Sequence, residues 1–148
     1  MRAMEARPYQ RKSGLALWLG STLLLVFLYT AMSKLLNFEE FRGQMQKQPF
    51  SPTVRELVVW TIPPVEILTA ALLAYEKTRR TGFSLATGLL VGFTAYIGLI
   101  LTGRFGRIPC TCGGVISAMS WPVHFAFNMF LLLVSSTGIY ITNRKGGP

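Results

Sequence analysis

The sequence predicts an all-α, polytopic membrane protein: a four-helix transmembrane bundle with a Cys-x-Cys loop between spans three and four. Three observations carry that reading. The 148 residues are 51% hydrophobic and only 14% charged, with a mean hydropathy of +0.41, too apolar for a soluble domain of this size. The apolar residues gather into four runs of about 20, the length a helix needs to cross roughly 30 Å of hydrocarbon at about 1.5 Å per residue. The lysines and arginines lie mostly between those runs, where they orient helices, so the formal charge of +9 does not indicate nucleic-acid binding. A single membrane domain over residues 1–148 is expected.

Each element has its own signal. Met1–Lys12 is a basic tail in which Pro8 argues against a continuous helix. Span one covers about residues 14–36 and exceeds the apolar core of a cleaved signal peptide, usually about 7–15 residues, so an uncleaved helix is expected. Asn37–Glu56 is an amphiphilic connector. Its Phe38, Phe41 and Met45 recur at helical spacing, predicting a short surface helix that ends before Pro49 and lies along the interface. Span two, about 57–75, contains Pro63-Pro64, which must kink the helix or free backbone carbonyls, and Glu66 amid apolar residues. An intramembrane carboxyl is either a functional group or a packing group that is protonated or paired with Lys34. A basic turn with Glu76, Lys77, Arg79 and Arg80 leads into span three, about 82–102, where Gly88 and Gly92 predict a close-packing face. Span four covers about 123–141 and is followed by Asn143, Arg144 and Lys145.

Between spans three and four lies the stretch richest in chemistry, Arg104–Asn128, with both cysteines and the single histidine. Cys110 and Cys112 are one residue apart, close enough on any backbone to form a disulfide or grip one soft metal ion. Pro109 stiffens the approach and Gly113-Gly114 permits a sharp turn afterwards. Arg104 and Arg107 favour the thiolate, the form that attacks disulfides and binds metals. A redox pair, an inert structural cystine, and a Cu(I)-type site completed by His124 are all compatible with this pattern. A closed zinc site lacks ligands, and no metal is expected. The sequence holds no P-loop, HExxH or GxSxG pattern and no aspartate, leaving phosphoryl transfer and carboxylate-dyad hydrolysis without machinery.

Charge sets the expected orientation. With both termini inside, the inner side holds Arg2, Arg7, Arg11, Lys12, Lys77, Arg79, Arg80, Arg144 and Lys145, nine of the 15 basic residues, in short segments. The other six are spread over longer outer loops and partly matched by Glu39, Glu40 and Glu56. Both termini should therefore be cytoplasmic and the cysteine loop extracytoplasmic, a compartment that permits disulfides. Trp18 then falls near the inner boundary, and Trp60 and Trp121 near the outer one, as interface anchors should.

Helical rise brings several isolated polar residues to similar depth. His124 starts span four, and Asn128 lies one turn deeper on the same face. Glu66 is nine residues past Leu57, about 13 Å below the outer entry of span two. Tyr29 and Lys34 end span one, and Tyr96 lies in the last third of span three. The expectation is one pocket beneath the cysteine loop, with Cys110, Cys112, Glu66 and His124 as the reacting groups and Tyr29, Lys34, Tyr96 and Asn128 as those that hold a cofactor.

These elements resemble the DoxX/MauE-like redox-associated membrane proteins, small four-helix proteins of bacteria, over about Phe27 to Ile141. The likeness rests on Tyr29-Thr-Ala-Met-Ser-Lys34-Leu-Leu with Phe38 and Phe41, on Pro64-Val-Glu66-Ile-Leu, and on Pro109-Cys110-Thr-Cys112-Gly113-Gly114. The resemblance implies a helical bundle in the bacterial inner membrane and a link to thiol-disulfide chemistry, with MauE similar to a factor for disulfide formation in methylamine dehydrogenase. Through DoxX-type relatives it also admits a quinone as cofactor. Thr111 stands where MauE has the glycine of a Cys-Gly-Cys type motif, and there is no second cysteine pair, so a complete relay within this chain is not implied. The expected function is that of a membrane thiol-disulfide oxidoreductase or accessory protein whose Cys110 and Cys112 exchange a disulfide with an extracytoplasmic thiol protein. A small assembly subunit of a larger membrane complex and a copper-handling protein are the alternatives.

Overall fold

The computed structural model describes residues 8–104 and 120–144. Cys110, Cys112 and the Gly113-Gly114 turn lie outside the described residues. Among the described residues the regular structure is all helical: α1 Pro8–Leu36, α2 Phe38–Gln46, α3 Pro52–Ala74, α4 Arg79–Leu101 and α5 Trp121–Asn143. All but α2 are long and apolar enough to cross a membrane. Only about a third or less of each span is buried within the protein, and Leu25, Leu57, Phe130 and Leu133 stand on the outside. An outer surface so rich in hydrocarbon suits lipid and makes the chain a multi-pass membrane protein.

Helix starts follow local chemistry. α1 begins at Pro8 itself, so the proline opens a helix where it was expected to interrupt one. A first-turn N–H has no intrahelical acceptor, and its loss at proline costs nothing. At α3, Ser51 caps the first turn by accepting from the Val54 N–H at 3.4 Å, and Pro52 follows. Pro63 and Pro64 lie inside α3 without ending it. The α2 helix ends at Gln46, before Pro49 as the connector predicts.

The four spans form a ring in which α1 packs against α3 and α5, and α4 packs against α5 and α3. The start of α1 and the end of α5 lie at the end of the bundle where Tyr75–Thr78 joins α3 to α4, here called the turn end. At the opposite, cysteine end, α1 and α4 finish, α3 and α5 begin, and the segment 105–119 attaches. There α2 lies against the start of α3 through Phe41, Met45 and Val59.

In lipid the hydrophobic effect contributes little to helix association, so close packing and polar contacts must supply it. The turn end shows both. A β-carbon on Gly82 would stand 2.8 Å from the Leu73 backbone nitrogen, and one on Gly138 would overlap the Phe83 ring. Phe83 is fully buried among Leu23, Leu73 and Ala86. Ser135 donates to the Phe83 carbonyl at 3.0 Å and shares a 2.6 Å contact with the Thr87 hydroxyl, tying α5 to α4. Arg79, assigned to the basic turn, opens α4 and is buried, and its Nε donates to the Leu73 carbonyl at 3.1 Å. The last carbonyls of α3 have no intrahelical donor, and a buried guanidinium supplies one.

Candidate functional site

The cysteine end is hollow. A cavity of about 370 Å³ lies between the four spans and under α2, in the size range of small-molecule sites. Its walls are mainly apolar and aromatic, with Phe27 from α1, Phe41 from α2, Phe50 from the connector, Phe93 from α4 and Phe127 from α5. Lys34, Glu66, Tyr96, His124 and Asn128 also line it, so five of the six membrane-span residues expected in one pocket converge there. Tyr29 does not line it and stands half exposed, with Thr30 in its place. Successive helical residues point about 100° apart, so a one-residue difference selects the other face.

Lys34 and Glu66 form a buried ion pair. The Lys34 ammonium donates to both carboxylate oxygens, at 2.7 and 3.0 Å, and Glu66 is almost wholly shielded. The Lys34 Nζ also stands 5.9 Å from the centre of the Phe41 ring, a cation–π contact that further fixes its head group. The expected pairing of Glu66 with Lys34 is present. Pairing does not remove it from the cavity wall.

On the α4 side the Tyr96 hydroxyl donates to Gln48 Oε1, and the Phe50 ring centre lies 5.3 Å from that of Tyr96. The connector therefore closes over the cavity instead of lying only along the interface. Opposite, His124 and Asn128 face the cavity one turn apart on α5. Asn128 is 5% exposed, and its Nδ2 has no hydrogen-bond partner among the described residues; the buried His124 Nδ1 likewise has none. A buried polar group left unpaired costs on the order of 1–3 kcal/mol, so these atoms call for a partner. Trp121, expected as an interface anchor, lines the cavity as well.

Gly88 and Gly92 correct another expectation. A close-packing face is expected there, yet among the described residues nothing lies within 4 Å of where a β-carbon would stand on either, both are exposed, and both line the cavity. Sequence reasoning also missed Phe41, Met45 and Phe50 as cavity walls; their helical spacing announced an apolar face but not what it covers. Among the described residues no three His, Cys, Asp or Glu side chains converge to hold a metal ion. The site assembled from Cys110, Cys112 and His124 lies mostly outside the described residues.

The cavity sits at the end of the bundle where the cysteine segment attaches, since α4 leads into that segment at Arg104 and Trp121 and His124 follow it. A protein-family model described as methylamine utilisation protein MauE matches residues 12–141. No curated protein and no solved structure matches the chain.

Proposed function

The chain belongs to the MauE family, and from that premise we propose that it is a thiol-disulfide redox protein of the bacterial cytoplasmic membrane. In this reading Cys110 and Cys112 face the extracytoplasmic side, both termini are cytoplasmic, and the pair exchanges a disulfide with a thiol protein. The observation that supports it best is the convergence of Lys34, Glu66, His124 and Asn128 on an apolar cavity at the end of the bundle where the Cys110-Thr-Cys112 segment attaches. A thiolate of the partner attacks the Cys110–Cys112 disulfide, a mixed disulfide forms, and the partner's second thiol resolves it. The partner leaves oxidised; Cys110 and Cys112 are left as two thiols that hold the two electrons and two protons.

Those electrons need an acceptor, and the residues present fit a quinone. Aromatic walls suit a flat ring, and the orphaned Asn128 Nδ2 is a donor suited to a carbonyl oxygen. A quinone held there supplies an acceptor for two electrons and two protons as the disulfide is restored. Asn128 orients its head, the phenylalanines exclude water, and the Lys34–Glu66 pair holds a proton within the cavity wall.

Substitution at the cysteines tests the proposal. A partner whose second thiol is replaced by serine should stay trapped on Cys110 or Cys112 as a mixed disulfide, visible as a reducible adduct, and Cys110→Ser/Cys112→Ser should fold normally but form no adduct and leave the partner reduced. Wild-type partner oxidation in the double variant would sink the redox reading and put an assembly subunit in front. The unpaired His124 Nδ1 favours a second reading, soft-metal handling, which predicts bound copper that depends on Cys110, Cys112 and His124 alike.

A further inference from the structure

We propose that the cavity is loaded sideways from the bilayer, across the Gly88/Gly92 face of α4, and that its occupant is an amphiphile with a compact acceptor-bearing head and a single hydrocarbon tail. The inference rests on reading the cavity as a ligand site and adds the route and shape of the ligand. Two observations carry it.

The first is the α4 surface. Thr87 meets Ser135 of α5, and a β-carbon on Gly98 would stand 3.6 Å from Phe125, so these residues mark the side of α4 that faces α5. At about 100° per residue, Gly88 and Gly92 fall on a different side, where they are exposed and meet no neighbour. Because they also line the cavity, the hollow reaches the outer surface of α4. An opening through a membrane-spanning helix face meets lipid, and a ligand using it arrives from lipid. Glycine at both positions leaves a channel about one helical turn long, with no side chain projecting from α4 across it.

The second is Asn128. It is 5% exposed, it lines the same cavity, and its amide nitrogen lacks an acceptor among the described residues. A lipid tail alone offers no acceptor, so the occupant must carry a polar oxygen on an otherwise apolar body. Asn128 lies seven residues into α5, about 10 Å from the cysteine end, whereas Gly92 and Gly88 lie nine and thirteen residues before the end of α4, about 13 and 20 Å deep. A head at Asn128 and a tail leaving past Gly92 and then Gly88 point from the interface towards the bilayer centre, the way a membrane amphiphile is already aligned.

Binding, read without turnover, tests this. The protein has three tryptophans, and Trp18→Phe/Trp60→Phe removes the two exposed ones, leaving Trp121 in the cavity wall as reporter. In phosphatidylcholine nanodiscs, decylubiquinone should quench Trp121, and so should the same dimethoxy-methyl-benzoquinone head without its tail. Gly88→Leu/Gly92→Leu should weaken the tailed probe by about tenfold while changing the tail-less one by less than about threefold, whereas Asn128→Leu should weaken both about tenfold. A second measurement avoids bulky substitutions: Gly92→Cys in a Cys110→Ser/Cys112→Ser background should be alkylated by N-ethylmaleimide more slowly with decylubiquinone bound, and at its original rate with the tail-less head.

Unchanged binding of the tailed probe in the leucine variant, or no protection of Gly92→Cys, overturns the route. So does conversion of a dimer to a monomer by the leucine variant, which would assign the face to a second copy of the chain. Failure of the redox reading is a separate result: Cys110→Ser/Cys112→Ser loses thiol exchange only if that reading is right, but must bind both probes like the wild type in either case.

Discussion

The two ends of this bundle use the same residue types for opposite ends. At the turn end, glycine admits a neighbour: Gly82 takes the Leu73 backbone and Gly138 takes the Phe83 ring. Along the cavity, Gly88 and Gly92 near the middle of α4 meet nothing among the described residues. Polar groups divide the same way. Ser135, Thr87 and Arg79 are satisfied at the turn end, whereas Asn128 and His124 keep buried nitrogens without a partner among the described residues. One end is filled and satisfied by its own contacts; the other holds a cavity edged by buried nitrogens without a partner among the described residues. A membrane bundle can therefore place its stability and its binding in separate halves of the same four helices.

The largest expected effect breaks the one strong polar contact of the hollow end. Lys34→Met strands the Glu66 carboxyl and should lower stability in detergent by about 3–5 kcal/mol, because a buried charge loses the cation that pairs with it among the described residues. Lys34→Met/Glu66→Leu should recover most of that stability while still losing partner oxidation, as read by the partner's thiol content. If the double variant stays as unstable as the single one, the pair serves packing and not the site.

The next contrast sets glycine against glycine. Gly138→Val must displace Phe83 and should lower stability by about 1–3 kcal/mol, while Gly88→Ala, with open space around it, should change stability by less than about 0.5 kcal/mol. Thermal unfolding in one detergent measures both, and equal effects would erase the difference between the ends. Ser135→Ala should also change little, by about 0.6 kcal/mol, the average for an interhelical hydrogen bond within a membrane. A larger loss would mean that the Thr87–Ser135–Phe83 contacts act as a unit.

The spans were legible in the sequence because hydropathy over about 20 residues is a coarse signal that single residues hardly disturb. Helix ends were less so: α3 starts at Pro52, five residues before its apolar run, since Ser51 and Pro52 set the start by capping and not by hydropathy. The convergence of Lys34, Glu66, Tyr96, His124 and Asn128 was legible from depth, which helical rise supplies. Direction around the helix was harder, and there Tyr29 gave way to Thr30. The glycine face was misread because a sequence shows that a residue is small but not whether anything approaches it. The burial of Arg79 was not legible, because its acceptor, the end of α3, becomes a neighbour only when the turn closes.

The Lys34–Glu66 pair also constrains how the chain enters the bilayer. Its two halves are 32 residues apart, on the first and third helices, so Lys34 enters the membrane ahead of its carboxylate. A lone lysine or glutamate at the centre of a spanning helix costs on the order of 2.5–3.5 kcal/mol. Lys34 avoids that cost during the wait because it lies two residues from the end of α1, within reach of the headgroups. Glu66 has no such refuge, fourteen residues into α3, and must arrive protonated or beside α1. The first helix therefore acts as a template for the third, and integration of α3 should depend on α1 being present in the same chain.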